Sequence, residues 1–167
     1  MARIIAIVNQ KGGVGKTTTT VNITASLKAL GKRVLLCDFD PQANATSGMG
    51  VDKNTASPNV YDVLINGADP KKSVVSTKYG DVIPSNKALA GAGIEMIAIP
   101  DREHLLKRPW TVWLRTTTTS LLTAPLPWSC SPSTPVRGPL SHRARPVRVL
   151  RPGGSERPAV HCAAGQA

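Results

Sequence analysis

The feature that most constrains this chain is a glycine-rich loop set between an apolar, β-branched run and a segment of helix length. Arg3-Ile4-Ile5-Ala6-Ile7-Val8 is short and dominated by β-branched residues, as expected of a parallel strand buried on both faces. Asn9 to Gly15 follows as a turn. Thr17 to Leu30 then carries apolar residues at Val21, Ile23, Ala25, Leu27 and Leu30 and stops at Gly31, a natural residue to end a helix. This spacing predicts a helix, with the four threonines at its start lowering its intrinsic propensity.

The same alternation continues downstream. Arg33-Val34-Leu35-Leu36-Cys37-Asp38 reads as a second buried strand ending in an acid, and Asp40 to Gly50 as a polar loop. Val60 to Ile65, led by Ser57-Pro58 and closed by Gly67, reads as a short helix, and Asp81-Val82-Ile83-Pro84 as a third strand. Leu89 to Ile99 and Glu103 to Arg108 read as helical pieces. Strand, helix and strand joined by short connections imply right-handed crossovers and a parallel sheet. The expectation is an α/β fold in which Arg3–Val8 and Arg33–Asp38 are neighbouring strands.

Composition divides the chain at residue 108. Residues 1–108 hold 14 Lys and Arg against 9 Asp and Glu, a net +5, whereas residues 109–167 hold 7 Arg and one acid, Glu156. The second segment lacks Lys, Asp, Asn, Ile, Met, Phe and Tyr, and takes 9 of the 14 prolines and all three tryptophans. Frequent proline forbids long helices and central strands. The expected organisation is therefore a folded region, 1–108, and an unstructured Arg/Pro-rich tail, 109–167, in which Trp110, Trp113 and Trp128 make no designed stacking platform. Cys37, Cys130 and Cys162 are odd in number and widely spaced, which fits neither a disulfide framework nor a zinc site. No apolar run approaches the length of a membrane span, and no leader pattern opens the chain, so a reducing cytoplasm is the expected compartment.

The chemistry lies in Lys11-Gly12-Gly13-Val14-Gly15-Lys16-Thr17-Thr18. Glycines let successive backbone N–H groups turn inward as an anion-binding nest, and the helix that follows adds the positive end of its dipole. A lysine at position 16 can reach the outer phosphates of a nucleotide, and the Thr17 hydroxyl can ligate Mg²⁺. The common G-x-x-x-x-G-K-[ST] pattern would begin with glycine at position 10; this chain has Gln10 there and a second lysine, Lys11, beside it.

That second lysine makes the loop resemble the deviant Walker A motif of the ParA/MinD superfamily. Asn9-Gln10 before it, Thr18-Thr19 after it, and Asp38-Phe39-Asp40-Pro41-Gln42-Ala43-Asn44-Ala45-Thr46 resemble the ParA/Soj partitioning branch, as do Val60-Tyr61-Asp62-Val63-Leu64 and Ile83-Pro84-Ser85-Asn86. The resemblance covers residues 3–108 and implies a P-loop NTPase-like three-layer parallel sheet, here incomplete. It implies ATP and Mg²⁺ as cofactors, with Lys11 to Thr18 around the phosphates. Lys11 would reach across a sandwich dimer to the partner's phosphates, Lys16 would hold the phosphates in its own subunit, and Thr17 and Asp40 would serve the metal and the attacking water. Asp38 would support Asp40 from the strand end. The implied partners are a second copy of the chain, a ParB-type centromere-binding protein and nonspecific DNA, with nucleoid association in the cytoplasm and no membrane.

The family pattern should continue past Arg108 into a helix and then a strand ending in the acid of a D-C-P-P motif, which this reading frame lacks. Another frame admits it. Read across the third base of each codon, Arg115 to Ser120 allows D-Y-D-Y followed by an apolar residue, and Leu122 to Trp128 allows D-C-P-P-S-L. Residues 109–167 therefore read as out-of-frame translation after loss of one base near the Arg108 codon, whether by a gene lesion or a misread base. Two classes of function follow: a partitioning ATPase, or an inactive fragment that keeps only the phosphate-binding loop.

Overall fold

The computed structural model describes residues 3–9, 12–100, 119–125, 148–150 and 157–158. Strand β1 spans Arg3–Asn9 and helix α1 Lys16–Ala29, followed by β2 (Val34–Asp38) and the short helices α2 (Asn44–Gly48) and α3 (Val60–Leu64). β3 (Val75–Thr77), β4 (Gly80–Ile83) and α4 (Leu89–Glu95) come next, the last running into a 3₁₀ turn over Met96–Ala98. Three strands lie beyond residue 108: β5 (Thr119–Pro125), β6 (Arg148–Leu150) and β7 (Arg157–Pro158). The seven strands form one sheet in the order β3-β4-β2-β5-β1-β6-β7.

Two sequence expectations need correction. β1 and β2 are parallel members of one sheet but are not neighbours, because β5 pairs in parallel with both. The region past residue 108 is therefore not wholly without regular structure: Thr-Ser-Leu-Leu-Thr-Ala-Pro is rich in residues that suit a strand, and its one proline stands at the final position. The α/β sheet is parallel through β4, β2, β5, β1 and β6, as expected, and takes an antiparallel strand, β3 or β7, at each edge. The predicted helix over Glu103 to Arg108 and the three tryptophans fall outside the described residues.

Two clusters of the core lie where α1 meets the sheet, and further buried residues, Val60, Val63, Leu64, Leu89 and Ala92, come from α3 and α4. Leu36, Ala45, Met49 and Val82 form one buried cluster, with Val21, Val51 and Val75 packed on it. Ile7 and Val34 form another, against Ile5, Ile23 and Leu27. Leu30, one of the apolar residues whose spacing predicts α1, is 72% exposed, whereas Thr20 and Thr24 are fully buried. Each threonine donates its hydroxyl to the carbonyl one turn earlier, Thr20 to Lys16 at 2.9 Å and Thr24 to Thr20 at 2.8 Å. With its polar atom satisfied in this way, the side chain can present a methyl group to the sheet. Gly80 of β4 comes close enough to α1 that an added Cβ would lie 3.1 Å from the Thr24 methyl. The helix ends where glycine predicts it: Gly31 adopts a φ of 72°, and the Lys32 amide donates back to the Leu27 carbonyl at 3.0 Å.

Candidate functional site

In a parallel arrangement the carboxyl ends of the strands share one edge of the sheet, where α/β folds gather their ligands. β1 leads there into the glycine loop, β2 into the Asp38–Thr46 segment, and β4 into Pro84-Ser85-Asn86. Lys11, the expected trans-acting lysine, lies outside the described residues.

In the glycine loop, Gly13 and Gly15 adopt φ values of 70° and 80°, which side chains rarely tolerate. Among the described residues nothing lies within 4 Å of a Cβ built on Gly12, Gly13 or Gly15, so the described part of the fold leaves space in front of the loop. Gly15 sits at the start of α1, no side chain among the described residues caps that helix, and its first turn carries no acid. The opening N–H groups of a helix and its dipole thus meet this space, a combination suited to a phosphate chain. Val14, Lys16 and Thr17 are half-buried and Thr18 is exposed, so the expected phosphate-binding residues from Gly12 to Thr18 form one continuous turn of backbone and helix.

The second segment is built around Asp38. All five residues of β2 are buried, and the strand places its terminal carboxylate there with no exposed surface. Oδ2 accepts the Thr46 amide and the Thr46 hydroxyl, each at 2.8 Å, and Oδ1 accepts the Asp40 amide at 3.2 Å. Burial is the strongest influence and raises the carboxyl to a pKa of about 6, against which the donations from Thr46 and Asp40 stabilise the charged form. Beside it the Cys37 thiol is pushed well above its ordinary value, first by burial and then by the Asp38 charge.

Asp38 explains why α2, expected to be loop, is helical. Asn-Ala-Thr-Ser-Gly has weak helix propensity, and its cap position holds Ala43 rather than a side chain that could cap. The Asp38 carboxylate instead accepts the N–H of Thr46, third in the helix, so the cap comes from eight residues away. Ala43 is held at φ 53°, with its amide donating to the Asp40 carbonyl at 2.8 Å. Asp40, half-buried, accepts the Gln42 amide at 2.9 Å. Gly48 lets α2 pack directly on α1: a Cβ there would stand 3.0 Å from a Val21 methyl. That close approach holds the Asp40 segment alongside the helix that follows the glycine loop.

Thr46 and Ser85 were given no role by sequence reasoning. The Thr46 hydroxyl, while donating to Asp38, accepts the Ser85 amide at 2.9 Å. The available signal was a threonine eight residues after a strand-ending acid. Among the described residues the Ser85 hydroxyl is the one buried side-chain polar atom without a partner.

A profile of the AAA_31 family, described as an AAA domain, matches residues 2–111. The chain belongs to that family. Residues 2–111 are the N-terminal part of a ParA/Soj-type domain. The sporulation initiation inhibitor protein Soj of Bacillus subtilis is 54% identical over 110 residues, 65% of this chain and 44% of Soj. The chromosome-partitioning ATPase Soj of Thermus thermophilus is 48% identical over 99 residues, 59% of this chain and 38% of that protein. This chain thus spans less than half the length of the curated relatives it matches. Among solved structures, cobyrinic acid a,c-diamide synthase from Mycobacterium smegmatis, crystallised with an ATP analog and magnesium, superposes with a TM-score of 0.77 at 32% identity. That match covers 91% of this chain and 60% of the synthase.

No three His, Cys, Asp or Glu side chains converge into a metal cage among the described residues. Mg²⁺ does not require one, since it keeps several waters and is held through one or two protein oxygens and the substrate phosphates. The Thr17 hydroxyl and the Asp40 carboxylate would supply oxygens of that kind.

Proposed function

We propose that this chain binds Mg-ATP through Gly12 to Thr18, with Lys16 on the phosphates and Thr17 and Asp40 serving the metal. In the intact protein this site would hydrolyse ATP to partition chromosomal or plasmid DNA. The observation that carries the reading is the pairing, at one sheet edge, of an open glycine nest at the start of α1 with the Asp38–Thr46 segment. Lys11 would complete the site of a second copy, so that hydrolysis depends on an ATP-dependent homodimer acting with a ParB-type protein on nonspecific DNA in the cytoplasm. Catalysis of phosphoryl transfer is chiefly positioning and charge stabilisation, which suits a site assembled from backbone amides, lysines and a metal.

The test is nucleotide affinity. Removing the Lys16 ammonium deletes a charge-assisted contact with the phosphates, so Lys16→Ala should weaken Mg-ATP binding at least about tenfold. Lys11→Ala should bind ATP nearly as the unaltered chain does and fail in dimer-dependent turnover. Undiminished binding by Lys16→Ala refutes the reading.

β5 favours a second reading for the chain as it stands. Thr119–Pro125 fills the central slot between the two site-bearing strands and contains no acidic residue. On this reading the chain retains the phosphate loop and lacks the D-C-P-P acid and the DNA surface that the resemblance implies for an intact protein.

A further inference from the structure

Three donors converge on Asp38, and two of them belong to Thr46. Both land on Oδ2 at 2.8 Å, while the Asp40 amide reaches Oδ1 at the longer 3.2 Å. The Thr46 hydroxyl therefore fixes the rotation of the carboxylate, and that rotation decides whether Oδ1 stays within reach of Asp40. The hydroxyl has a second task. As acceptor for the Ser85 amide it joins the residues after β4 to the same carboxylate. Those residues are anchored in turn, because the Pro84 carbonyl accepts the Val60 amide at the start of α3, at 2.9 Å. Thr46, Asp38 and Ser85 are all fully buried, so no solvent can replace these bonds freely.

We propose that Thr46 is a positioning residue for Asp40: its hydroxyl, donating to Asp38 and accepting from Ser85, locks the segment that presents the Asp40 carboxylate to the metal. The inference rests on the reading that Asp40 serves the metal. It adds that the grip on Asp40 runs through Thr46 and is shared with the end of β4. Valine has the shape of threonine without the hydroxyl. It leaves the Ser85 amide buried without an acceptor and the Asp38 carboxylate held by two amides.

The test uses the full 167-residue chain and reads ATP affinity with Mg²⁺ and with chelator. The gain in affinity that Mg²⁺ confers should fall about tenfold in Thr46→Val, as expected when a group supporting a ligand is removed, with affinity in chelator kept within about twofold. Thr46→Ser retains the hydroxyl and should restore the gain. If Thr46→Val keeps the Mg²⁺ gain, or if affinity falls equally with and without Mg²⁺, the positioning role is overturned. Asp40→Ala separates the two levels. An unchanged Mg²⁺ gain in that variant overturns the metal role of Asp40 and this inference with it. A lost gain in Asp40→Ala beside a normal gain in Thr46→Val overturns the inference alone. Should Thr46→Val fail to fold, hydrogen exchange in the unaltered chain decides the matter. The Thr46 and Ser85 amides should exchange more slowly with Mg-ATP than with ATP in chelator, and equal exchange overturns the proposal.

Discussion

β2 and β5 run side by side in the same direction, paired from Val34 opposite Thr119 to Asp38 opposite Thr123. β2 ends in a carboxylate gripped by three donors and opening into the Asp40 segment. β5 ends Thr-Ala-Pro, with no ionisable group along its length. The difference separates two demands on a strand. Filling a slot in a parallel sheet requires backbone N–H and C=O groups and residues that tolerate extension, and Thr-Ser-Leu-Leu-Thr supplies both. Supplying chemistry requires a particular side chain at a particular register. Likeness to Soj covers 65% of the chain, whereas likeness of fold to the cobyrinic acid synthase covers 91%.

The test with the largest expected effect restores the frame. Inserting one base after the Arg108 codon, and repairing any later lesion, would replace Leu122-Thr123 with residues that include an acid, at the register opposite Asp38. A metal-site acid is worth orders of magnitude in phosphoryl transfer, so the restored protein should turn over ATP at least about a hundredfold faster than the chain as it stands. Equal Mg²⁺-dependent turnover would erase the distinction between β2 and β5 and dismiss the fragment reading.

What the sequence disclosed follows the same division. β1, α1, β2, α3 and β4 were legible within a residue or two because their signals are local: β-branched runs, apolar spacing, and Gly31 at a helix end. α2 was not, because its cap comes from Asp38 across the loop. Its own cap position holds Ala43, and no local rule assigns a helix to Asn-Ala-Thr-Ser-Gly. The place of β5 was hidden for a deeper reason. Nothing in Thr119–Pro125 marks it as central, and only the topology shows that β1 and β2 are separated by one strand. Of the candidate site, the glycine turn ahead of α1 and the place of Asp38 at the end of β2 were legible, because both signals are local. The Thr46–Ser85 link was not, since it joins residues 39 positions apart.

Asp38 offers the next test, in protein free of metal and nucleotide. Its carboxyl titrates near pH 6 in the folded chain, against an ordinary value of 3.8. Between those values the native state holds a proton that the unfolded state has lost. Stability attributable to this group is therefore full below about pH 4 and falls as pH rises through about 6, approaching 3 kcal/mol in total. Denaturant titrations from pH 4 to pH 7 should show this loss and its absence in Asp38→Asn. Exposed Asp52, held below its usual range chiefly by the Asn54 amide, acts in the opposite direction. A pH slope identical in the native chain and Asp38→Asn would show that the end of β2 is no more specialised than that of β5.

A smaller effect is expected at α3, whose cap is local. Asn59 accepts the amides of Tyr61 and Asp62, and the Asp62 carboxylate accepts the Asn59 amide in return. Asn59→Ala should cost about 1 kcal/mol in a denaturant titration, the ordinary value of a helix cap. A loss of several kcal/mol would mean that Asn59 carries tertiary structure as Asp38 does. No measurable loss would mean that the packing of Val60, Val63 and Leu64 suffices.

The smallest effect, and the one that marks where the network ends, belongs to Ser85. Its amide is committed to Thr46, while its hydroxyl is buried with no partner. A buried hydroxyl without a hydrogen bond carries an uncompensated loss of hydration, typically about 1–3 kcal/mol. Ser85→Ala removes that liability and leaves every bond around Asp38 in place. The small hole it leaves offsets part of the gain, so stability should stay level or rise by up to about 1 kcal/mol. The contrast with Thr46→Val is the informative one. Both changes remove a hydroxyl from the same fully buried cluster, yet only the threonine hydroxyl joins strand ends. A clear destabilisation by Ser85→Ala, measured by the denaturation midpoint, would show that the Ser85 hydroxyl has a partner of its own. In that case the grip on Asp38 would extend one residue further into the end of β4.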